Sequence, residues 1–394
     1  MLAGLARLTR ADTPAWAAIV RGSLRDMSAE RAQVRIQTLI DQSVASGHET
    51  GLQVAVIKDG QLAIDAISGL ADPRSGTAVS TDSLFWAGST AKGVAASVAH
   101  VLAERGELDY DLRVAEVWPE FASHGKDTVT LRHVLQHTAG LPGLPPDTTV
   151  RDLCDWDRMC AALAAAQLWW EPGTRFGYHA KTFGFLLGEI IRRATGHTIS
   201  AVLRDAITRP LGVEADVHFR VPEPMLGRVA MQVSADGPPP EAPAAGSPLD
   251  RAMPVGVRPD ADYANRRDLL TSDVPSEGTM TARGVARIYA ALLGDIDEVF
   301  LVSSQRLAAM AAVTVTATDE VMGFPATWAF GYSPSRPGGS PSRLGSAFGM
   351  VGMNGSAAYA DIDTHIAVAL MRNRFTAGLA TAGRIDRIVA EELA

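Results

Sequence analysis

Lysine is scarce in this chain: Lys58, Lys92, Lys126 and Lys181 are the only four, out of 36 lysines and arginines together. A short motif that needs a lysine therefore has few places to arise by accident. Cysteine is scarcer still. Cys154 and Cys160 are the only two, six residues apart in a stretch that reads as helix, which sets them on different faces. Two free thiols follow, with no disulfide framework and no cysteine-rich zinc site. Positive charge is in deficit: the formal net charge of −8 excludes a general electrostatic footprint for nucleic acid. No apolar run approaches the length of a membrane span, so no membrane partner is expected. The first residues, with Arg7, Arg10, Asp12 and Pro14, lack the apolar core of a secretory signal, and a cytoplasmic location is the expectation. Also missing are a Gly-x-Ser-x-Gly elbow, a His-Glu-x-x-His zinc motif and a glycine-rich nucleotide loop. No metal and no cofactor are called for.

What is present is an ordinary globular composition, 47% hydrophobic and 20% charged over 394 residues, enough for a substantial core in one or two domains. Ala32, Ile36, Leu39, Ile40 and Val44 recur at helical spacing over residues 29–46. Leu52 to Ile57 and Leu62 to Ile67 are β-rich runs joined at Asp59-Gly60, a hairpin signal. The far end mirrors this: Ser356 to Ala360 and His365 to Met371 flank Asp361 to Asp363, and Leu379, Ile385, Ile388 and Val389 mark a closing helix. Two terminal hairpins, each with a helix outside, predict one antiparallel sheet assembled from both ends. The fold class expected is α/β of the α+β kind, an antiparallel sheet flanked by helices with an inserted, mainly helical domain. Residues 1–90 and 290–394 would form the sheet domain and 91–289 the helical one. Residues 222–260, centred on Pro238-Pro239-Pro240, read as an extended, movable loop.

Ser89-Thr90-Ala91-Lys92 carries the chemistry. Val94, Val98 and Leu102 repeat every four residues, Ala91 and Ala95 fill the same stripe, and Arg105-Gly106 stops the run, so a helix is predicted from about Ser89. Residues i and i+3 share a face. A serine hydroxyl becomes a good nucleophile only when a neighbouring base takes its proton, and a lysine can do so when desolvation keeps its amine neutral. The competing reading is a helix-start serine beside a solvated lysine. Ser123-His124-Gly125-Lys126 repeats the spacing, but it includes a glycine, lacks apolar periodicity afterwards, and reads as a surface loop.

Five ordered segments resemble the serine β-lactamase and penicillin-binding superfamily, in its class C β-lactamase-like (family VIII) esterase branch. They are Ser89 to Lys92; Leu131 to Leu141, with His137-Thr138-Ala139-Gly140; Glu171-Pro172-Gly173 to Tyr178; Pro275-Ser276-Glu277-Gly278 with Thr281-Ala282-Arg283; and Phe348-Gly349-Met350-Val351-Gly352 to Ser356. The resemblance implies the same two-part fold, with an active site between the parts. It implies that Ser89 is the nucleophile, that Lys92 and Tyr178 share the proton transfer, and that the backbone N–H groups of Ser89 and Met353 hold the oxyanion. It puts Met350, Gly352 and His179 beside the substrate. His137 is expected to be structural, and His365 a surface or satisfied core residue.

The chain departs from the family where Lys, His or Trp usually stands: Met350 offers no donor to a substrate carboxylate, unless Arg343 or Arg372 substitutes. Ala180 stands where many relatives carry Asn. A more apolar acyl site is expected, and β-lactams or D-alanyl peptides become poorer candidates. The function implied is a serine acyl hydrolase acting on a small-molecule ester. One alternative is a transacylase passing the acyl group to an amine or alcohol. Another is a non-catalytic binding protein on the same fold. Oligomeric state is not legible.

Overall fold

Asp59 and Gly60 reverse the chain with φ of 47° and 78°, the paired left-handed conformations a two-residue hairpin needs. In the computed structural model, which describes residues 15–237, 241–296, 299–337, 346–376 and 378–394, with side chains from residue 27 onward, this hairpin supplies two of the six strands of the central sheet. The first end of the chain supplies β1 (Gly51–Lys58), β2 (Gln61–Asp72) and β3 (Thr77–Ala78). The second supplies β4 (Ala347–Val351), β5 (Ala357–Asp361) and β6 (Ile366–Arg372). The order is β4-β5-β6-β1-β2-β3, and every pairing is antiparallel. β1 and β6 join the two ends in register from Leu52 opposite Arg372 to Lys58 opposite Ile366.

Each sheet face is covered by helices. Outside lie α1 (Ala15–Ala45), which begins well before the periodic stretch that predicted it, and the final helix Ala380–Glu392. Ile36, Ile40, Val54, Val56, Val368, Ile385 and Val389 form that outer core, each fully buried side chain contributing about 1.5–3 kcal/mol. Arg35 clasps Glu391 and Glu392 at 2.7 Å at the rim. Inside lie α2 (Thr90–Glu104) and a helix over Ala282–Leu292 that spans both sides of residue 289, and this second core runs on into α3 (Thr182–Thr195) and the other helices of the middle of the chain. α2 is buried from Thr90 to Ala103. Gly93 permits this: a Cβ there would lie 2.2 Å from Tyr289 Oη and 3.3 Å from Met350 Cβ.

Two further pairings aim the segments that flank α2. Phe85–Trp86 pairs antiparallel with Thr279–Met280, which also pairs with Val217–His218. The Ala87 N–H donates to the Gly278 carbonyl at 2.8 Å. Residues 275–278 are thereby set beside the start of α2. The expectation of an extended loop over 222–260 is corrected in its described parts. Short helical turns occupy Glu223–Arg228, Pro248–Ala252 and Val255–Val257. Met231 N–H donates to Ala71 O at 2.8 Å and Val233 N–H to Asn373 O at 2.7 Å. Backbone groups taken out of water need such partners, and here the end of β2 and the residue after β6 provide them. Pro238, Pro239 and Pro240 lie outside the described residues.

Candidate active site

Ser89 occupies the N-cap of α2 but makes no capping bond with its side chain. Its hydroxyl is left for other work: Lys92 Nζ lies 3.0 Å from Ser89 Oγ. The same amine donates to the Ser276 carbonyl at 3.0 Å. Lys92 is 1% exposed. Burial pushes its pKa down to about 7, with Glu277 opposing and Lys181 adding to the fall. Near neutral pH the amine is therefore present in comparable charged and neutral forms.

Tyr178 faces the pair, with Lys92 Nζ 5.1 Å from its ring centroid. Desolvation raises the phenol above its ordinary value, opposed by a polar contact with the Ser89 side chain, so the phenol keeps its proton at neutral pH. Its loop is fastened at several points. Gly177 N–H donates to His137 O at 3.1 Å, and His179 N–H donates to His137 Nδ1 at 3.0 Å. Tyr178 N–H donates to Asp319 Oδ1 at 3.1 Å, and that oxygen also accepts from Val321 at 2.8 Å and Met322 at 3.0 Å. His137, buried with φ of 55°, braces this loop, in keeping with its expected structural part.

His179 is a correction. Its Nδ1–H donates to the Gly177 carbonyl at 2.7 Å, and its Nε2 accepts from Leu141 N–H at 3.0 Å. Both ring nitrogens are engaged with backbone, and burial lowers the pKa to about 4, so the ring has no polar atom to offer a substrate. His365 lies at the surface, paired with Asp295 at 2.7 Å.

The turn after β4 lies against the start of α2. Gly352 N–H donates to Ser356 O at 2.7 Å and Gly355 N–H to Gly352 O at 2.9 Å. Asn354 Nδ2 donates to Trp86 O at 2.8 Å and to Arg372 O at 3.2 Å, and Thr90 Oγ1 to Ser356 O at 3.2 Å. Contact is close enough that a Cβ on Gly352 would lie 2.2 Å from Ala87 O, and one on Gly88 would lie 3.6 Å from Met353 N. Among the described residues, neither the Ser89 nor the Met353 N–H donates to a backbone carbonyl.

Met350 is 5% exposed and packs with Phe176, Trp328 and Tyr178. This side of the site is apolar. Arg372 does not compensate for the missing cation, because its guanidinium is buried against Glu49 at 2.9 Å. Arg343 lies outside the described residues. Ala180 is buried and brings no polar group.

The second Ser-x-x-Lys is also corrected. Lys126 is fully buried rather than on a surface loop. Its amine donates to the Ala166 carbonyl, and Ser123 Oγ donates to Ala164 O at 2.7 Å. Both cap the end of the helix Trp156–Ala165, where carbonyls lack intrahelical partners. Cys154 and Cys160 are free thiols. Five residues near the site had no role assigned from sequence: Ser276 through its carbonyl, Asp319, Trp328, and Lys181 and Glu277 as a buried ion pair. Only Ser276 and Glu277 carried any signal, as part of the fourth segment.

The Beta-lactamase family model matches residues 36–391. The chain is 34% identical over 350 residues to the esterase/beta-lactamase LipL of Mycobacterium tuberculosis, covering 84% of this chain and 78% of that protein. It is 29% identical over 216 residues to the esterase EstB of Burkholderia gladioli, covering 50% of this chain and 54% of that protein. The crystal structure of a family VIII carboxylesterase is similar with a TM-score of 0.83 at 30% identity, over 92% of this chain and 98% of that one. A match that runs from α1 to the final helix takes in every segment around Ser89, and the chain belongs to the beta-lactamase family.

Proposed function

We propose that the protein is a serine acyl hydrolase that cleaves carboxylic esters through an acyl-enzyme on Ser89. The observation that carries this reading is the 3.0 Å contact between the buried Lys92 amine and Ser89 Oγ. With one N–H given to the Ser276 carbonyl, a neutral amine can turn its lone pair toward the serine proton. Lys92 takes that proton as Ser89 Oγ bonds to the ester carbonyl carbon. The negative charge on the carbonyl oxygen meets the N–H groups of Ser89 and Met353. As the tetrahedral centre collapses, the alkoxide leaves with a proton from the Tyr178 phenol, which Lys92 then replenishes. Water, deprotonated by the same pair, releases the acid and restores Ser89. The protonated phenol and half-neutral amine described above favour Lys92 as first base and Tyr178 as the relay to the leaving group.

Relatives named as esterases support the substrate class. The wall of Met350, Phe176 and Trp328 favours an apolar acyl group without a carboxylate. The division into a sheet part and a helical part, with Ser89 at their junction, is part of this proposal. The same wall supports a second fate for the acyl-enzyme, because shielding from water favours capture by an amine or alcohol acceptor. Product analysis with an amine present separates the two: free acid alone excludes transfer.

The test of the main reading is covalent. Incubation with a fluorophosphonate should add one adduct to the native chain by intact mass and none to Ser89→Ala. An unmodified native chain overturns the proposal in favour of a binding protein on this fold.

A further inference from the structure

Behind Lys92 lies a buried ionic cluster that the mechanism above does not use. Lys181 and Glu277 form an ion pair with side chains 2% and 7% exposed. Tyr263 joins them: Lys181 Nζ is 2.8 Å from Tyr263 Oη, and that hydroxyl donates to Glu277 Oε1 at 3.0 Å. Among the described residues, Glu277 Oε2 has no hydrogen-bond partner. Taking two charges out of water costs several kcal/mol per ion, and their attraction often fails to repay it. Fold stability is therefore a weak reason for the pair to be here, and its location suggests a better one.

Glu277 directly follows Ser276, whose carbonyl accepts from Lys92 Nζ. Ser276 is itself held from the Lys181 side: its Oγ donates to the Lys181 carbonyl at 2.8 Å and accepts from Gly184 N–H at 2.7 Å. The approach needs a glycine, since a Cβ on Gly184 would lie 2.2 Å from Ser276 N. Backbone and side chains of Lys181 thus grip both ends of the Ser276–Glu277 unit. The titratable groups facing Lys92 are the Tyr178 phenol and His137 from one side and Glu277 and Lys181 from the other. His137 is kept neutral by burial, which leaves Glu277 and Lys181 as the charged neighbours.

We propose that Lys181 and Glu277 are positioning residues for the base: the pair fixes the Ser276 carbonyl that orients the Lys92 amine toward Ser89, and it presents that amine with two opposed charges in place of one. This rests on the Ser89 reading above. Glu277 favours the charged amine and Lys181 the neutral one, so removing one partner leaves a one-sided field. Coulomb's law gives about one pH unit for one charge about 10 Å away at an effective dielectric of about 20.

The experiment is the pH dependence of kcat/KM for p-nitrophenyl acetate hydrolysis by the full chain, Glu277→Gln, Lys181→Met and the double variant. The acid limb should move down by about one unit in Glu277→Gln, up by about one unit in Lys181→Met, and return near the native midpoint in the double variant. A purely structural pair would lower rates without moving the two midpoints in opposite directions. Midpoints that stay fixed, or move the same way, overturn the proposal. If Lys181→Met does not fold, Glu277→Gln decides alone, because the amide keeps the carboxylate's shape; an unmoved or raised midpoint is then the refuting result. A native chain with neither turnover nor adduct is a different failure, since it removes the Ser89 reading and this one with it.

Discussion

Gly352→Ala isolates the proposed oxyanion site from the rest of the machinery. Gly352 does not have a positive φ, so alanine suffers no backbone strain; the perturbation is contact alone. A Cβ there would lie 2.2 Å from Ala87 O, where ordinary contact begins at 3.4 Å, so the turn or the Ala87 segment must yield by about 1.2 Å. Ala87 cannot give easily, because its N–H is bonded to Gly278 and the next residues open α2. The displacement falls on Met353, whose N–H, in its proposed role, must stay about 2.7–3.1 Å from the oxyanion to stabilise it. Losing one such donor lowers kcat by about 10²–10³, and an error of about 1 Å alone costs about 10². The assay is steady-state hydrolysis of a p-nitrophenyl ester, with thermal melting to confirm a folded chain. Met353→Ala is the control: it removes a side chain that is 38% exposed but keeps the N–H, and its kcat should stay close to native. A folded Gly352→Ala chain with kcat within about threefold of native would refute the assignment of this turn.

Other consequences follow from the same geometry. The native rate should rise with pH through about 7, because only the deprotonated Lys92 amine can accept the serine proton and burial holds its pKa there; a flat profile from pH 5 to 9 would contradict this. Lys92→Arg keeps a positive charge but cannot act as a base, and ester turnover should be lost, measured against Ser89→Ala as the floor. Tyr178→Phe should lower kcat by about 10²–10⁴, the usual contribution of a general acid–base group, while fluorophosphonate still labels Ser89 slowly. Asp319→Ala removes the acceptor of three backbone N–H groups and should lower kcat more than it raises KM, by loosening Tyr178 without touching substrate.

What could be read from sequence was local. Asp59-Gly60 encodes its own turn, α2 encodes its own apolar stripe, and Ser89 and Lys92 need only one helical turn to meet. The sheet's closure from both ends followed from two hairpins with matching helices. Tyr178 has no such local logic: it entered through resemblance, and the bonds that fix it come from His137 and from Asp319, 141 residues away. The Ser276 carbonyl lies 184 residues from Lys92, and no periodicity announces a backbone oxygen. Where polar side chains were assigned by type, burial reversed the reading. Ser123 to Lys126 reads as a surface loop, yet the Lys126 amine is buried on a helix-end carbonyl; His179 reads as available beside Tyr178, yet backbone takes both nitrogens; Arg372 reads as a spare cation, yet Glu49 holds it.

Lys92 must hold its amine partly neutral at physiological pH while touching Ser89. With only four lysines in the chain, NMR of the protein carrying ¹³C-labelled lysine gives a spectrum simple enough to follow each ε-carbon through a pH titration, with Lys92→Arg assigning the signal. The account predicts a Lys92 titration centred near 7. A Lys92 signal that remains fully protonated through pH 9 would contradict it.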